Sequence, residues 1–320
     1  MLDLIKLTRP LNLLIIAGTM AVMRYGVIGG LLGASGFVPQ LSTTLFAMLV
    51  LSTLLIAAGG NVINDYFDTR IDRINKPDAL IVGRSVKRRI AMAAHLVLSG
   101  LGLLLGLIVV WRTGLWRLSI IPAFAIGALW TYSTTFKRQL IIGNGLVATL
   151  TALVPLTVGL YEIPLAQRAY TTEMLTELAD GGLVHFYFRV IWYWVFAFSA
   201  FAFVATLVRE LQKDMADVPG DLADGCRTVP IAWGMRWSRA LVFFHTAVLV
   251  VAIVLLRRTF LQDALSFWYL GALIFLLLIS AGMTFMAQDR AAYMRAGAVM
   301  KAAMVMAVAY GALVARSLDA

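Results

Sequence analysis

Nine of the 17 acidic residues fall in two short stretches: Asp65, Asp68, Asp72 and Asp78 in the first, then Glu210, Asp214, Asp217, Asp221 and Asp224 in the second. Within the first, the polar positions Asn61, Asn64, Asp65, Asp68 and Asp72 follow a helical period and so share one face. Carboxylates at this spacing repel one another and cost stability unless a cation or solvent offsets them. Oxygen donors without a soft ligand suit a hard divalent ion. Magnesium is the natural choice, since it keeps several waters and takes one or two carboxylates plus substrate phosphate oxygens. For one such row alone, a solvated surface laced with salt bridges is an equally good reading. The second row tips the balance toward a metal site. Its residues also step by three and four, although Pro219 and Gly220 predict that the helix ends after Asp217 and leaves Asp221 on a turn.

A prenyl diphosphate matches such a site, because its isoprenoid tail suits an apolar bundle while its anionic head needs cations at the membrane boundary. Arg70, Arg73, Lys137, Arg138 and Lys213 are placed to neutralise the departing diphosphate as the allylic bond ionises. Tyr66, Phe67, Trp130 and Tyr132 could shield the allylic cation and steady it with their π faces. Packing or interface anchoring is the plainer role for each aromatic residue.

The elements that must carry these residues are membrane spans. At 61% hydrophobic and 14% charged, with a mean hydropathy of +0.86, the 320 residues exclude an ordinary water-soluble domain. Nine apolar runs are long enough to cross a bilayer, centred near residues 21, 52, 100, 126, 151, 198, 248, 276 and 306. None alternates every second residue, so the expected fold is an all-α bundle of about nine transmembrane helices, with a central cavity opening to the cytoplasmic side. Intervening polar segments are short, and residues 1–320 read as one integral-membrane domain. The first run has no small-residue cleavage site and reads as an uncleaved span.

Four spans separate the two acidic stretches, so both emerge on the same side. The even spacing also hints at duplication of a four-helix unit. With a cytoplasmic amino terminus, 18 of the 27 basic residues collect on that same side, which orients the chain. The net charge of +10 therefore reports topology rather than nucleic-acid binding. Tryptophans 111, 116, 192, 194 and 268 near predicted span ends read as interfacial anchors. The stretch 162–186, with Glu162, Glu173, Glu177 and Asp180, reads as a solvated loop on the opposite face. Cys226 is alone, His185 and His245 are scattered, and His95 reads as a packing residue, which leaves no zinc or haem pattern.

The string Asn64-Asp65-Tyr66-Phe67-Asp68-Thr69-Arg70-Ile71-Asp72 resembles the NDxxDxxxD signature of the UbiA-type intramembrane prenyltransferases. Lys213-Asp214-Met215-Ala216-Asp217-Val218-Pro219-Gly220-Asp221 is similar to their second aspartate motif. Arg9-Pro10, Tyr132, Lys137 and Arg138 extend the likeness over essentially the whole chain. The resemblance implies two Mg2+ ions on Asn64, Asp65, Asp68, Asp72, Asp217 and Asp221, with Asp214 in support and Tyr132 and Lys137 lining the diphosphate pocket. It also implies a multi-pass protein of a bacterial or archaeal plasma membrane.

Arg209 to Asp214 and Gly220 to Pro230 look most like the branch that alkylates geranylgeranylglyceryl phosphate with geranylgeranyl diphosphate. Relatives acting on aromatic acids place an Arg-Pro pair after Asn75-Lys76-Pro77-Asp78, whereas this chain continues Ala79-Leu80-Ile81. An aromatic acceptor stays open beside a lipid one, and the oligomeric state is not legible. A cation-coupled transporter is the alternative of another class, but its charges should lie near the midplane. Phosphoalcohol transfer lacks its Asp-Gly-x-x-Ala-Arg signature, and a scaffold gives no reason for matched aspartate rows.

Overall fold

The computed structural model describes residues 2–178 and 181–314, with the side chains of all of these except 173–186. The side chains of Glu173, Glu177, Asp180 and His185, and Arg316 altogether, lie outside the described residues. After the short helix Leu2–Leu7 come α1 (Pro10–Gly33), α2 (Thr43–Phe67), α3 (Arg88–Thr113), α4 (Ile120–Thr134) and α5 (Ile142–Leu178). Then follow α6 (Gly181–Ala223), α7 (Gly234–Phe260), α8 (Ala264–Met286) and α9 (Arg290–Tyr310). Among the described residues there is no strand, only an isolated bridge between Val82 and Val86. The chain is an integral, multi-pass helical membrane protein.

Eight of these helices are long and apolar enough to cross a bilayer. The ninth expected crossing, α4, is helical for only 15 residues. Helix α4 nonetheless returns the chain to the side of the aspartate rows, since Lys137, just after it, pairs with Asp68. Gly114, at φ +69, turns the chain at the end of α3, and the 3-10 turn Trp116–Ser119 takes up the next part of the apolar run.

Helices approach closely where small residues face one another, as expected without a hydrophobic drive between them. A Cβ on Gly102 of α3 would lie 2.7 Å from the Ile56 side chain of α2, and the Ser52 hydroxyl donates to the Gly102 carbonyl at 2.6 Å. His95 is buried on the same interface, with Nδ1 3.0 Å from the Gly59 carbonyl oxygen. Trp111, Trp116 and Trp268 are exposed near helix ends, whereas Trp194 is a core residue, 5% exposed, and not an interfacial anchor.

The expected loop at 162–186 is also revised. Helix α5 runs through Pro155 and Pro164 to Leu178, and Glu162 is fully buried. Its carboxylate pairs with Arg24 at 2.7 Å and accepts the backbone N–H groups of Gln40 and Leu41 at 3.0 and 3.1 Å. Arg24 stands on the π-helical turn Val22–Ile28 of α1, its guanidinium 4.5 Å from the centre of the Phe46 ring. A charge met in sequence looks like solvent exposure, but here an opposite charge from another helix compensates it inside the bundle.

Glu162→Ala leaves Arg24 buried and uncompensated, and should cost about 3–5 kcal/mol of stability. A lower melting temperature in detergent reads this, and the double variant Arg24→Met with Glu162→Leu should recover most of the loss. Equal melting of Glu162→Ala and wild type would contradict the assignment.

Candidate functional site

Helix α2 carries the first aspartate row to Phe67, pauses at Asp68 (φ −82, ψ 2) and resumes as the short helix Thr69–Asn75. The row keeps its helical spacing across this bend, because the Asp68 N–H donates to the Asn64 carbonyl at 2.9 Å and the Asp72 N–H to the Asp68 carbonyl at 2.8 Å. Each acid meets a base. Asp65 pairs with Arg9 at 2.6 Å, Asp68 with Lys137, and Asp72 with Lys76 at 3.2 Å. Arg9 reaches Asp65 from a left-handed backbone, φ +54, just before Pro10. That conformation is costly for arginine and must be held by its surroundings. Asn61 helps, donating to the Thr8 carbonyl at 3.0 Å.

The second row departs from expectation: α6 continues through Pro219 to Ala223, so Asp221 lies on the helix rather than on a turn. Proline removes one backbone donor and strains the turn before it. Asn75 repairs the region from outside. Its Nδ2 donates to the Asp217 carbonyl at 3.1 Å and its Oδ1 accepts the Gly220 N–H at 3.0 Å. A Cβ on Gly220 would lie 2.4 Å from Asn75 Nδ2, so only glycine admits this clamp. Nothing in the acidic pattern pointed to Asn75. A Pro-Gly pair inside an otherwise periodic helix is the one signal that some neighbour must supply hydrogen bonds.

The clamp joins the two rows at one end of the bundle, and Asp224 ties in Arg138 at 2.9 Å and Arg70 at 3.9 Å. Asp217 pairs with Arg290 of α9 at 3.3 Å, and Asp214 accepts from Asn144 at 2.7 Å. Arg73 is exposed and enters no ion pair among the described residues, so the structure does not bring it to this cluster. The Lys137 side chain is 8% exposed, and burial pushes its ammonium down to about 8, against the pull of Cys226 and Asp224. Burial likewise raises the Asp72 carboxyl, against the pull of Lys76. The buried Cys226 thiol is pushed up to about 11 and stays protonated near neutrality.

Below the cluster lies a cavity of about 360 Å³. Asn61, Asn64, Tyr132, Glu210 and Lys213 line its upper part, and Ile16, Leu49, Ile56, Val147 and Leu150 line the apolar part. Leu49 and Asn64, both on α2, are separated by roughly 22 Å of helical rise, so the cavity is deep enough to take an extended hydrocarbon chain. Of the four aromatic residues expected there, only Tyr132 lines it, together with Tyr161, which the sequence did not single out. Tyr66 instead packs under the Arg88 guanidinium at 4.2 Å, and Phe67 meets Trp130 edge to face at 6.0 Å.

The donors fit a hard cation. Asn64 Oδ1 is buried without a hydrogen-bond partner, while Asn64 Nδ2 donates to Asp68 Oδ2 at 2.7 Å. Among the described residues no three His, Cys, Asp or Glu side chains converge on one point.

The sequence profile described as the UbiA prenyltransferase family matches residues 25–315. A digeranylgeranylglyceryl phosphate synthase of Thermococcus kodakarensis is 30% identical over 306 residues, covering 95% of this chain and 94% of its own. A solved structure described as a digeranylgeranylglyceryl phosphate synthase in membranes superposes with a TM-score of 0.62 at 20% identity, covering 98% of this chain and 97% of its own. A UbiA homologue from Archaeoglobus fulgidus, bound to DMAPP and Mg2+, superposes with a TM-score of 0.58 at 14% identity, covering 99% of this chain and all of its own.

Asn75→Ala leaves the Gly220 N–H without its acceptor and should weaken the 217–223 turn by about 1–3 kcal/mol. Faster amide hydrogen exchange there reads the loss, and Gly220→Ala should behave alike. Unchanged exchange in both variants would exclude the clamp.

Proposed function

The chain belongs to the UbiA prenyltransferase family, and on that premise we propose that it transfers a geranylgeranyl group from geranylgeranyl diphosphate to the hydroxyl of geranylgeranylglyceryl phosphate, releasing diphosphate. The observation that carries this reading is the meeting of two aspartate rows, cross-linked by Asn75, next to a deep apolar cavity that Asn61, Asn64, Glu210 and Lys213 of the same two helices line, although no aspartate lines it. The similarity to the Thermococcus kodakarensis enzyme over 95% of the chain supports the lipid acceptor.

The donor's tail lies among Ile16, Leu49, Ile56, Val147 and Leu150, which exclude water from the reacting carbon. Asn64, Asp65, Asp68, Asp72, Asp217 and Asp221 would hold two magnesium ions, with Asp214 in support. Magnesium, when bound, supplies Lewis-acid stabilisation of the departing diphosphate. The bond between the allylic carbon and the diphosphate oxygen breaks, and the electron pair leaves with the diphosphate. Lys137, Lys213, Arg138 and Arg70 neutralise that charge. Arg73, exposed and outside the cluster, takes no part in this reading. Tyr132 walls the cavity beside the cationic carbon. The acceptor hydroxyl oxygen then forms the ether bond, and its proton passes to an oxygen of the released diphosphate.

We read residues 1–320 as one catalytic domain. The setting we propose is an archaeal plasma membrane, in keeping with the archaeal source of the relative, with both rows facing the cytoplasm as the distribution of basic residues favours.

Purified protein given both lipids and magnesium should form the ether product, and EDTA should stop the reaction until magnesium is restored. Asp68→Ala and Asp217→Ala should each lower kcat at least about a hundredfold. Prenylation of an aromatic acid in place of the glyceryl phosphate lipid would refute the acceptor; full turnover by both aspartate variants would refute the site.

A further inference from the structure

Lys301 stands apart from the charges used so far. It lies on α9, eleven residues beyond Arg290, and lines the cavity from within the span. Its ammonium donates to Asn12 Oδ1 of α1 at 2.6 Å, and among the described residues no carboxylate lies within ion-pair distance of it. Arg209 of α6 lines the same cavity and acts on Lys301 as a like charge. Glu210 is the cavity's lining carboxylate, and it is engaged by Arg209 at 2.5 Å and by Lys213 at 3.9 Å. The wall shared by α1, α6 and α9 therefore carries a net positive charge. An ionisable side chain inside a span is costly, and points by default to function.

We propose that Lys301, with Asn12 and Arg209 beside it, forms a second anion subsite on the cavity wall, which takes the phosphate monoester of the acceptor lipid. This rests on the acceptor reading above. The acceptor's phosphate survives the reaction, so it needs a grip that does not activate it as a leaving group. Ammonium, guanidinium and amide donors without an adjoining carboxylate row provide one. They also keep the phosphate monoester from competing with the diphosphate for the aspartate rows. The two anionic heads are thereby sorted by ligand type: carboxylates with a divalent ion for the leaving group, and chiefly hydrogen-bond donors, led by Lys301, for the group that stays.

The test uses the full-length protein in detergent, with Lys301→Met, Lys301→Gln, which keeps a polar partner for Asn12, and Lys301→Arg. Expected is a rise of about tenfold or more in the KM for geranylgeranylglyceryl phosphate in the Met and Gln variants, the worth of a charge-assisted hydrogen bond. The KM for geranylgeranyl diphosphate should stay at the wild-type value, and Lys301→Arg should restore most of the acceptor affinity. With geranylgeranylglycerol, which lacks the phosphate, the Met and Gln variants should match wild type. Unchanged acceptor KM, or equal losses with both acceptors, would overturn the subsite.

Binding of radiolabelled geranylgeranylglyceryl phosphate without magnesium or donor separates this inference from the reaction. Wild type that binds the lipid, loses it on Lys301→Met and yet never turns it over would sink the transfer reading while supporting the subsite. Turnover by Lys301→Met at wild-type acceptor KM would do the reverse.

Discussion

Two rows of like-charged carboxylates brought to one mouth of a membrane bundle repel each other, and everything around them answers that repulsion. Arg9, Lys137, Lys76, Arg290 and Arg138 each take one aspartate, so the cluster stands nearly charge-balanced by itself. Lys137 and Arg138 are also residues that would meet a diphosphate. A ligand that arrives with divalent ions offers the carboxylates stronger partners and frees these bases for phosphate oxygens. On the proposed reading the ion pairs exchange partners when the diphosphate arrives, and the buried Lys137, paired with Asp68, is one of the bases released.

Such an exchange needs fixed geometry. The two rows come from helices far apart in sequence, and their register rests on neutral hydrogen bonds from Asn75 rather than on charge. Hydrogen bonds to backbone do not change when ions enter or leave, so they can hold the rows while the ion pairs rearrange. At the other end, the Arg24–Glu162 pair ties α1 to α5 and to the backbone at Gln40 and Leu41. In both places a polar group inside apolar surroundings finds a specific partner, since leaving it unpaired would cost more than ordering it.

Between these ends the cavity is graded. Its apolar lining sets where a hydrocarbon chain can lie, and its polar positions mark where anionic heads can stop. Lys301 adds a polar position on a different wall from the aspartate rows, and on the proposed reading the chamber then has two addresses for two charged lipids.

The sequence by itself determined the helical membrane class, the same-side placement of the acidic rows, and the residue types of the site. These depend on local quantities: run length, helical period and the parity of crossings. It misread Glu162 as solvated and ended α6 before Pro219, and of the four aromatic residues it considered beside the reacting carbon only Tyr132 lines the cavity. These turned on partners from distant segments: Arg24 beside Glu162, Asn75 beside Gly220, and Arg88 over Tyr66. Only the tertiary structure decided these, because compensation of a buried charge or a broken helical turn is a through-space interaction, and sequence spacing carries no record of which other helix supplies it.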